Sequence, residues 1–320
     1  MNNIVDKSLS SNQKNIINLT APDMDATPKI ISLTENVTLK KTITIEKRSI
    51  TGDGFILGSS TNGILGTSKL GSPFGSYSAV STDVVSGYNV NGMSTIITDT
   101  EGLFGYLACG TGAVADNATS LVTEIVRLDT PDILEGDNYW ELVFQMDEST
   151  GNGNLFTEYG LALAATGDIS TTGNGYPINK NVLLYISINY KNYFINFGDI
   201  PPTTINRLND GGITLLVDDI YNNWGYLRIG NASTTYDATT GVTGTELGTL
   251  TYSTLTKDAT SFTRIFNINT LVFNTEDITS IYDAALSTGH IVDSYEPITT
   301  ITNKSANDEY KVTIKTELLR

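Results

Sequence analysis

One stretch of this chain occurs twice. NGMSTIITDTEGLFGYLACG, ending at Gly110, lies over GGITLLVDDIYNNWGYLRIG, ending at Gly230, at a constant offset of 120 residues. Gly92 meets Gly212, Asp99 meets Asp219, Gly105 meets Gly225, and Tyr106-Leu107 meets Tyr226-Leu227, while Phe104 falls on Trp224. Chance gives about one identity over such a length. The register resumes at an offset of 122, where Thr123-Glu124 matches Thr245-Glu246 and Leu128 matches Leu250. YWELVFQM (139–146) then overlays SFTRIFNI (261–268), and Thr157 meets Thr279. Four segments in one order with one small shift imply duplication of a unit of about 110 to 120 residues, the size of a β-sandwich.

Periodicity says what each unit is made of. Short β-branched and aromatic runs recur between Gly, Asn and Asp clusters, the pattern of strands joined by turns. Leu184, Ile186 and Ile188 alternate with polar or aromatic neighbours, as Tyr310, Val312 and Ile314 do near the end of the chain. That period of two marks a half-buried strand. Asn209-Asp210-Gly211-Gly212 is a cap for a helix whose apolar face is Ile213, Leu216, Val217 and Ile220. The matching first-copy stretch, STIITDT, is richer in β-branched residues and less committed to helix. The expected fold is therefore mainly β: two tandem antiparallel β-sandwich-like domains, each with a short helix, and an N-terminal β-containing arm. The boundaries drawn from sequence are 1–85 for the arm, 86–200 for the first repeat and 201–320 for the second, with Pro201-Pro202 as linker. Within the arm, Val37 to Lys47 alternates like a strand and a Gly/Ser-rich stretch follows from Gly52 to Tyr77. The arm is expected to attach the protein to its neighbours, or else to be an added β-layer or a partly flexible leader.

Charge and cysteine content narrow the function. With 35 Asp and Glu against 19 Lys and Arg, the formal charge of −16 repels nucleic acid and anionic lipid, so no nucleic-acid partner is expected. No apolar run approaches the roughly 20 residues that span a bilayer, so membrane insertion is not expected. The polar start MNNIVDKSLSSNQKN lacks the basic and apolar parts of a signal peptide. Cys109, the one cysteine, forms no intrachain disulfide and, with His290 as the one histidine, no zinc site of Cys and His.

Candidate chemistry is sparse. A Ser-His-Asp or Cys-His arrangement has to use His290, and no motif around a Ser or Cys matches it. Asp147 with Glu148, or Asp218 with Asp219, are carboxylate pairs of the type that cleaves glycosides. Sequence neighbours on a strand point to opposite faces, however, and acidic turn residues are mostly solvated. Asp147 to Asn154 (DESTGNGN) carries oxygen ligands suited to calcium, but an Asn-Gly hairpin turn accounts for the same residues. Gly110-Thr111-Gly112 lacks the lysine and helix of a phosphate-binding loop and reads as a tight turn needing positive φ. Arg127 beside Glu124 reads as an ion pair of the fold. Among Tyr139-Trp140, Tyr185, Tyr190, Tyr193-Phe194, Tyr221 and Trp224, exposed rings would stack on sugars and the rest would pack. No catalytic, cofactor-binding or metal residue is assigned, and no cofactor is expected.

Three motifs in the first copy carry a resemblance: Gly110-Thr111-Gly112, Leu121 to Arg127 in the pattern Leu-x-x-Glu-x-x-Arg, and Thr157-Glu158-Tyr159-Gly160-Leu161. In this order the chain, across roughly residues 85 to 200, resembles a domain of bacteriophage tail-fibre and appendage proteins. The second copy is looser, with Gly230-Asn231 for Gly-Thr-Gly and Thr279-Ser280-Ile281-Tyr282-Asp283 for the last motif. The resemblance implies a non-enzymatic structural virion protein, a tail fibre, baseplate or other appendage component made in the host cytoplasm. It implies self-assembly as a homo-oligomer, often a trimer, and other virion structural proteins as partners. The alternatives are a host-receptor protein binding surface glycan and a capsid decoration or head-fibre protein.

Overall fold

The computed structural model describes residues 29–49, 75–86, 88, 90–182, 184–196, 198–204, 206–231, 246–285 and 292–320. In chain order the elements are β1 (Lys29–Ser49), β2 (Ser78–Ser86), α1 (Val90–Thr100), β3 (Tyr106–Gly110), β4 (Glu124–Leu128), β5 (Asp132–Glu135), β6 (Tyr139–Met146), β7 (Leu155–Ala162), β8 (Thr171–Asn179) and β9 (Ile186–Asn196). There follow β10 (Asn206–Leu208), α2 (Asp210–Asn223), β11 (Trp224–Gly230), β12 (Glu246–Thr251), β13 (Thr254–Lys257), β14 (Ser261–Ile268), β15 (Ile278–Ala285), β16 (Val292–Ile301) and β17 (Asp308–Leu319). The protein is mainly β, with two short helices among the described residues.

The duplication is visible in strand register. β3 pairs with β4 through Leu107↔Leu128 and, after a bulge, Gly110↔Glu124. β11 pairs with β12 through Leu227↔Leu250 and, after a bulge, Gly230↔Glu246. The edge pairings agree as well: Asp132↔Val143 between β5 and β6 corresponds to Thr254↔Ile265 between β13 and β14. Each offset is the one that the sequence alignment requires. A shift of one residue would turn every side chain to the opposite face, so the agreement is sensitive to position.

Two compact units result, and their bounds differ from those drawn on the sequence. Among the described residues, one comprises 29–39, Met93–Asn222 and Leu318–Arg320, and the other those within Lys40–Gly92 and Asn223–Glu317. The division falls between Asn222 and Asn223 rather than at Pro201-Pro202, so α2 packs with the first unit. The described part of the arm supplies two strands, β1 and most of β2, which pair antiparallel with each other. The first half of β1 lies parallel to β9, from Lys29↔Ile186 to Leu39↔Asn196, an exception to the antiparallel expectation. The rest of the arm, including most of the Gly/Ser-rich stretch, lies outside the described residues.

In the first unit, one sheet runs β1-β9-β6-β5 and the other β10-β8-β7-β3-β4. Inward residues alternate along β1 (Ile31, Leu33, Glu35, Val37, Leu39) and along β9 (Ile188, Tyr190, Asn192, Phe194). Helix α2 forms as its sequence suggests: the Asn209 side-chain oxygen accepts from the Gly212 amide at 2.8 Å, and Ile213, Leu216, Val217 and Ile220 are buried. Helix α1 also forms, because Met93, Ile96 and Ile97 share a buried face that outweighs their weak propensity.

In the second unit, β13, β14, β17, the second half of β1 and β2 form one sheet, and β12-β11-β15-β16 the other. Its core joins both sheets: Ile43, Ile45, Phe266, Val312 and Ile314 meet Leu227, Ile229, Ile278 and Ile281. Ion pairs from Lys40 to Glu317, Lys311 to Glu46 and Arg48 to Glu309 step in opposite directions along β1 and β17. The fully buried Lys41 ammonium lies 4.1 Å from the centroid of the Tyr88 ring and 5.8 Å from that of Trp224, a placement that aromatic quadrupoles favour.

Candidate functional site

The three motifs of the first copy meet at one carboxylate. Glu158, on β7, is fully buried. Its Oε1 accepts the Gly112 amide at 3.0 Å and the Thr123 amide at 2.8 Å, and its Oε2 accepts the Val122 amide at 3.0 Å. The Thr157 hydroxyl donates to the Gly112 carbonyl at 2.6 Å. Glu158 thus ties the Gly-Thr-Gly segment to the start of β4, each bond strengthened by the carboxylate charge.

The glycines are needed for room, not for backbone twist. Neither Gly110 nor Gly112 has positive φ, which corrects the tight-turn reading. A Cβ on Gly110 would stand 2.4 Å from the Thr123 carbonyl oxygen and 2.5 Å from Glu158 Oε1, and one on Gly112 would stand 2.6 Å from Val122 Cβ. Arg127 forms the expected pair with Glu124, at 2.9 Å and 2.8 Å. The same guanidinium donates to the carbonyls of Ala164 and Gly167 at 2.9 Å and 3.1 Å. In the second copy Ser280 stands opposite Gly230 where Glu158 stands opposite Gly110, so the carboxylate clamp belongs to the first unit.

The DESTGNGN segment is built around a lysine. Lys180 is fully buried, and its ammonium donates to Asn152 Oδ1 at 2.9 Å, the Asn181 carbonyl at 3.0 Å and the Glu148 carbonyl at 3.4 Å. A cation of the protein's own thus sits on two of the loop's oxygens, Asn152 Oδ1 and the Glu148 carbonyl. Gly151 and Gly153 take positive φ of 66° and 80°. The flanking strands β6 and β7 belong to different sheets, so the segment is a crossing between sheets rather than the expected hairpin. The second unit repeats the device: Lys304 donates to Asn274 Oδ1 at 2.8 Å and the Ser305 carbonyl at 3.4 Å. Burial lowers both ammonium pKa values. The shared Asn-Lys dipeptide, 179–180 and 303–304, is the sequence signal for this pair.

The predicted carboxylate pairs are not the ones the fold assembles. Asp147 is exposed and accepts from the Ser149 and Thr150 amides at 2.9 Å and 2.8 Å and from the Ser149 hydroxyl at 2.8 Å; hydrogen bonds from Thr150 and Ser149 lower its pKa to about 2. Asp219, half-buried on α2, is raised to about 6 by burial and by Asp99, its counterpart in the repeat. Glu101 is raised to about 7 by burial and by a hydrogen bond with Glu135. Two carboxyls in direct hydrogen bond lie far closer than the roughly 5 Å or more that glycoside hydrolysis requires. Glu35 is raised to about 8 by complete burial, and accepts from the Tyr190 hydroxyl at 2.5 Å and from the Leu208 amide. Of these, Glu35 keeps its proton at neutral pH, Glu101 is about half-protonated there, and Asp219 is mostly ionised. Cys109 is buried and its thiol is pushed up by burial, which keeps it unreactive. His290 lies outside the described residues.

Of the singled-out aromatics, Trp140, Tyr190, Phe194 and Trp224 are buried, while Tyr139, Tyr185, Tyr193 and Tyr221 are half-buried. Trp140 packs with Phe104 at 5.9 Å and donates to the Thr100 hydroxyl at 3.1 Å. Tyr193 and Tyr139 form a tilted pair at 5.1 Å on the outward face of β9 and β6. Tyr193 also lines a cleft of about 440 Å³ with Asn138, Asn196, Asp199, Ile200 and Pro201. No family model, curated protein or solved structure matches the chain.

Proposed function

We propose that the chain is a structural protein of a tailed-bacteriophage-like particle, acting through its surfaces in self-assembly and in docking to other virion proteins. One observation carries the reading. The motif residues by which the sequence resembles tail-fibre and appendage domains, Gly110, Gly112, Glu124, Arg127, Thr157 and Glu158, are consumed in holding β3, β4, β7 and the loops between them together. A motif spent on packing and backbone satisfaction marks a scaffold, whereas a catalytic motif leaves a nucleophile, acid or base facing substrate. The raised carboxyls sit as parts of the fold rather than facing a substrate, since Glu35 is fully buried and Glu101 is coupled to Glu135. Oligomeric assembly, as a trimer in fibres, belongs to the same proposal.

Immunogold labelling of purified particles, with mass spectrometry of the same preparation, tests this. Label at a defined appendage, with the chain present in stoichiometric amounts, supports the proposal. A preparation of intact particles from which the chain is absent refutes it. Multi-angle light scattering of the purified chain reads the oligomeric state.

A further inference from the structure

We infer that the cleft beside Tyr193 is a saccharide-binding site for neutral or amino sugars. A pyranose presents a C–H face and a rim of hydroxyls, so its site needs a flat apolar surface with amide or carboxylate groups at the edge. Its lining supplies both residue types: Tyr193, Ile200 and Pro201 are the apolar part, and Asn138, Asn196 and Asp199 are the polar part. Its volume of about 440 Å³ lies in the usual range for small-ligand sites.

The walls are held in place before any ligand arrives. The Asn36 amide donates to the Pro202 carbonyl at 2.6 Å and the Thr204 hydroxyl at 2.5 Å. The Phe194 amide donates to the Asn138 carbonyl at 2.8 Å, and the Asp199 amide to the Asn196 carbonyl at 3.0 Å. Gly198, with φ of 97°, supplies the left-handed residue of that turn. Behind Tyr193, Tyr139 is fixed by the Lys191 ammonium 4.7 Å from its ring, itself paired with Glu141 at 3.0 Å. Fixed walls reduce the ordering cost that weakens binding to loops.

Charge selects the sugar class. Among the described residues no lysine, arginine or histidine lines the cleft, Asp199 does, and the chain carries −16 overall, so uronic acids and phosphorylated glycans are repelled.

The test uses the purified full chain and isothermal titration with four probes: maltoheptaose, cellohexaose, chitohexaose and oligogalacturonate. Binding of at least one of the first three with a Kd of about 1 mM or tighter, and none of the acidic probe, is expected. Tyr193→Ala is expected to weaken that binding about tenfold and Asp199→Ala a fewfold, while Tyr193→Phe, which keeps the ring and the packing, stays within about twofold. Leu271→Ala, at an exposed position of the other unit, is expected to bind unchanged. No binding by any probe, equal binding of oligogalacturonate, or full affinity in a folded Tyr193→Ala protein overturns the inference. The cleft's chemistry is read on the isolated chain, so failure here is distinguishable from failure of the virion assignment, which rests on particle location.

Discussion

Replacing Glu158 is the most direct test of what the motif network does. Its carboxylate holds three backbone amides, all within 3.0 Å, at a fully buried position. Hydrogen bonds to a charged group contribute about 1.5 to 3 kcal/mol each, and removing the acceptor leaves the donors unsatisfied. Water entering the space left by Glu158→Ala recovers part of this, so a net loss of about 3 to 5 kcal/mol is expected. Glu158→Gln keeps one oxygen. Two amides share Oε1 and one uses Oε2, so Gln retains the pair to Gly112 and Thr123 and sets its NH2 against the Val122 N–H, costing about 2 kcal/mol. The assay is urea unfolding read by tryptophan fluorescence. The chain has two tryptophans, Trp140 in the first unit and Trp224 in the second, so a Trp224→Phe background leaves Trp140 as reporter. With a urea slope of about 2 kcal/mol per M, the alanine variant's midpoint falls by roughly 2 M and the glutamine variant's by about 1 M. A fall under about 0.5 M for Glu158→Ala would refute the clamp.

Glu35 makes the first unit less stable as pH rises from acid to neutral. The folded protein keeps the proton up to about pH 8, whereas the unfolded chain loses it near 4.5. The folded state therefore binds more protons between these values, and stability falls as pH rises through that window. Glu35→Gln, which mimics the neutral acid, is expected to gain on the natural protein by a few kcal/mol between pH 5 and 8; unfolding free energies that stay parallel across that range would show Glu35 ionised in the fold. Lys180→Met and Lys304→Met leave buried carbonyl and amide oxygens without their donor, and each is expected to cost about 2 to 3 kcal/mol in its own unit by the Trp140 or Trp224 signal. Because the Lys180 ammonium sits on Asn152 Oδ1 and the Glu148 carbonyl, millimolar calcium is expected to leave the natural protein's thermal midpoint unchanged, and a rise with calcium sinks that account. Gly212→Ala drives a Cβ to 2.2 Å from the Ser170 carbonyl and 2.5 Å from Leu208 Cδ2. A loss of about 2 kcal/mol or more is expected, and unchanged thermal unfolding would mean that α2 shifts freely at that contact.

Much of the fold was legible because its cues are local. Alternation along 37–47 and 310–314, the Asn209 cap with its 213, 216, 217 and 220 stripe, and the Glu124–Arg127 pair three residues apart all involve neighbours in sequence. The repeat extended that reach, since an offset of 120 or 122 set equivalent strands and their register without any coordinates. It did not pick out Lys180 and Lys304, because two shared residues are too few to notice until their ammonium groups are seen to fill equivalent loops.

What only the tertiary structure decided are the features whose partners lie far away along the chain. Sequence places Glu158 only in the Thr157 to Leu161 motif, and it is the approach of β3 and β4 to β7 that turns its carboxylate into an acceptor for three amides and makes Gly110 and Gly112 indispensable for space. Asp99 and Asp219 were aligned as equivalents, yet that they share a field is a consequence of both helices packing in one unit. The parallel pairing of β1 with β9, and hence the proton held by Glu35 against Tyr190, joins residues 155 apart. Periodicity records which face of a strand is buried, and is silent on which distant strand buries it. The duplicated β unit was thus determined by the sequence itself, and the groups that clamp, protonate and line that unit were determined by which strands met.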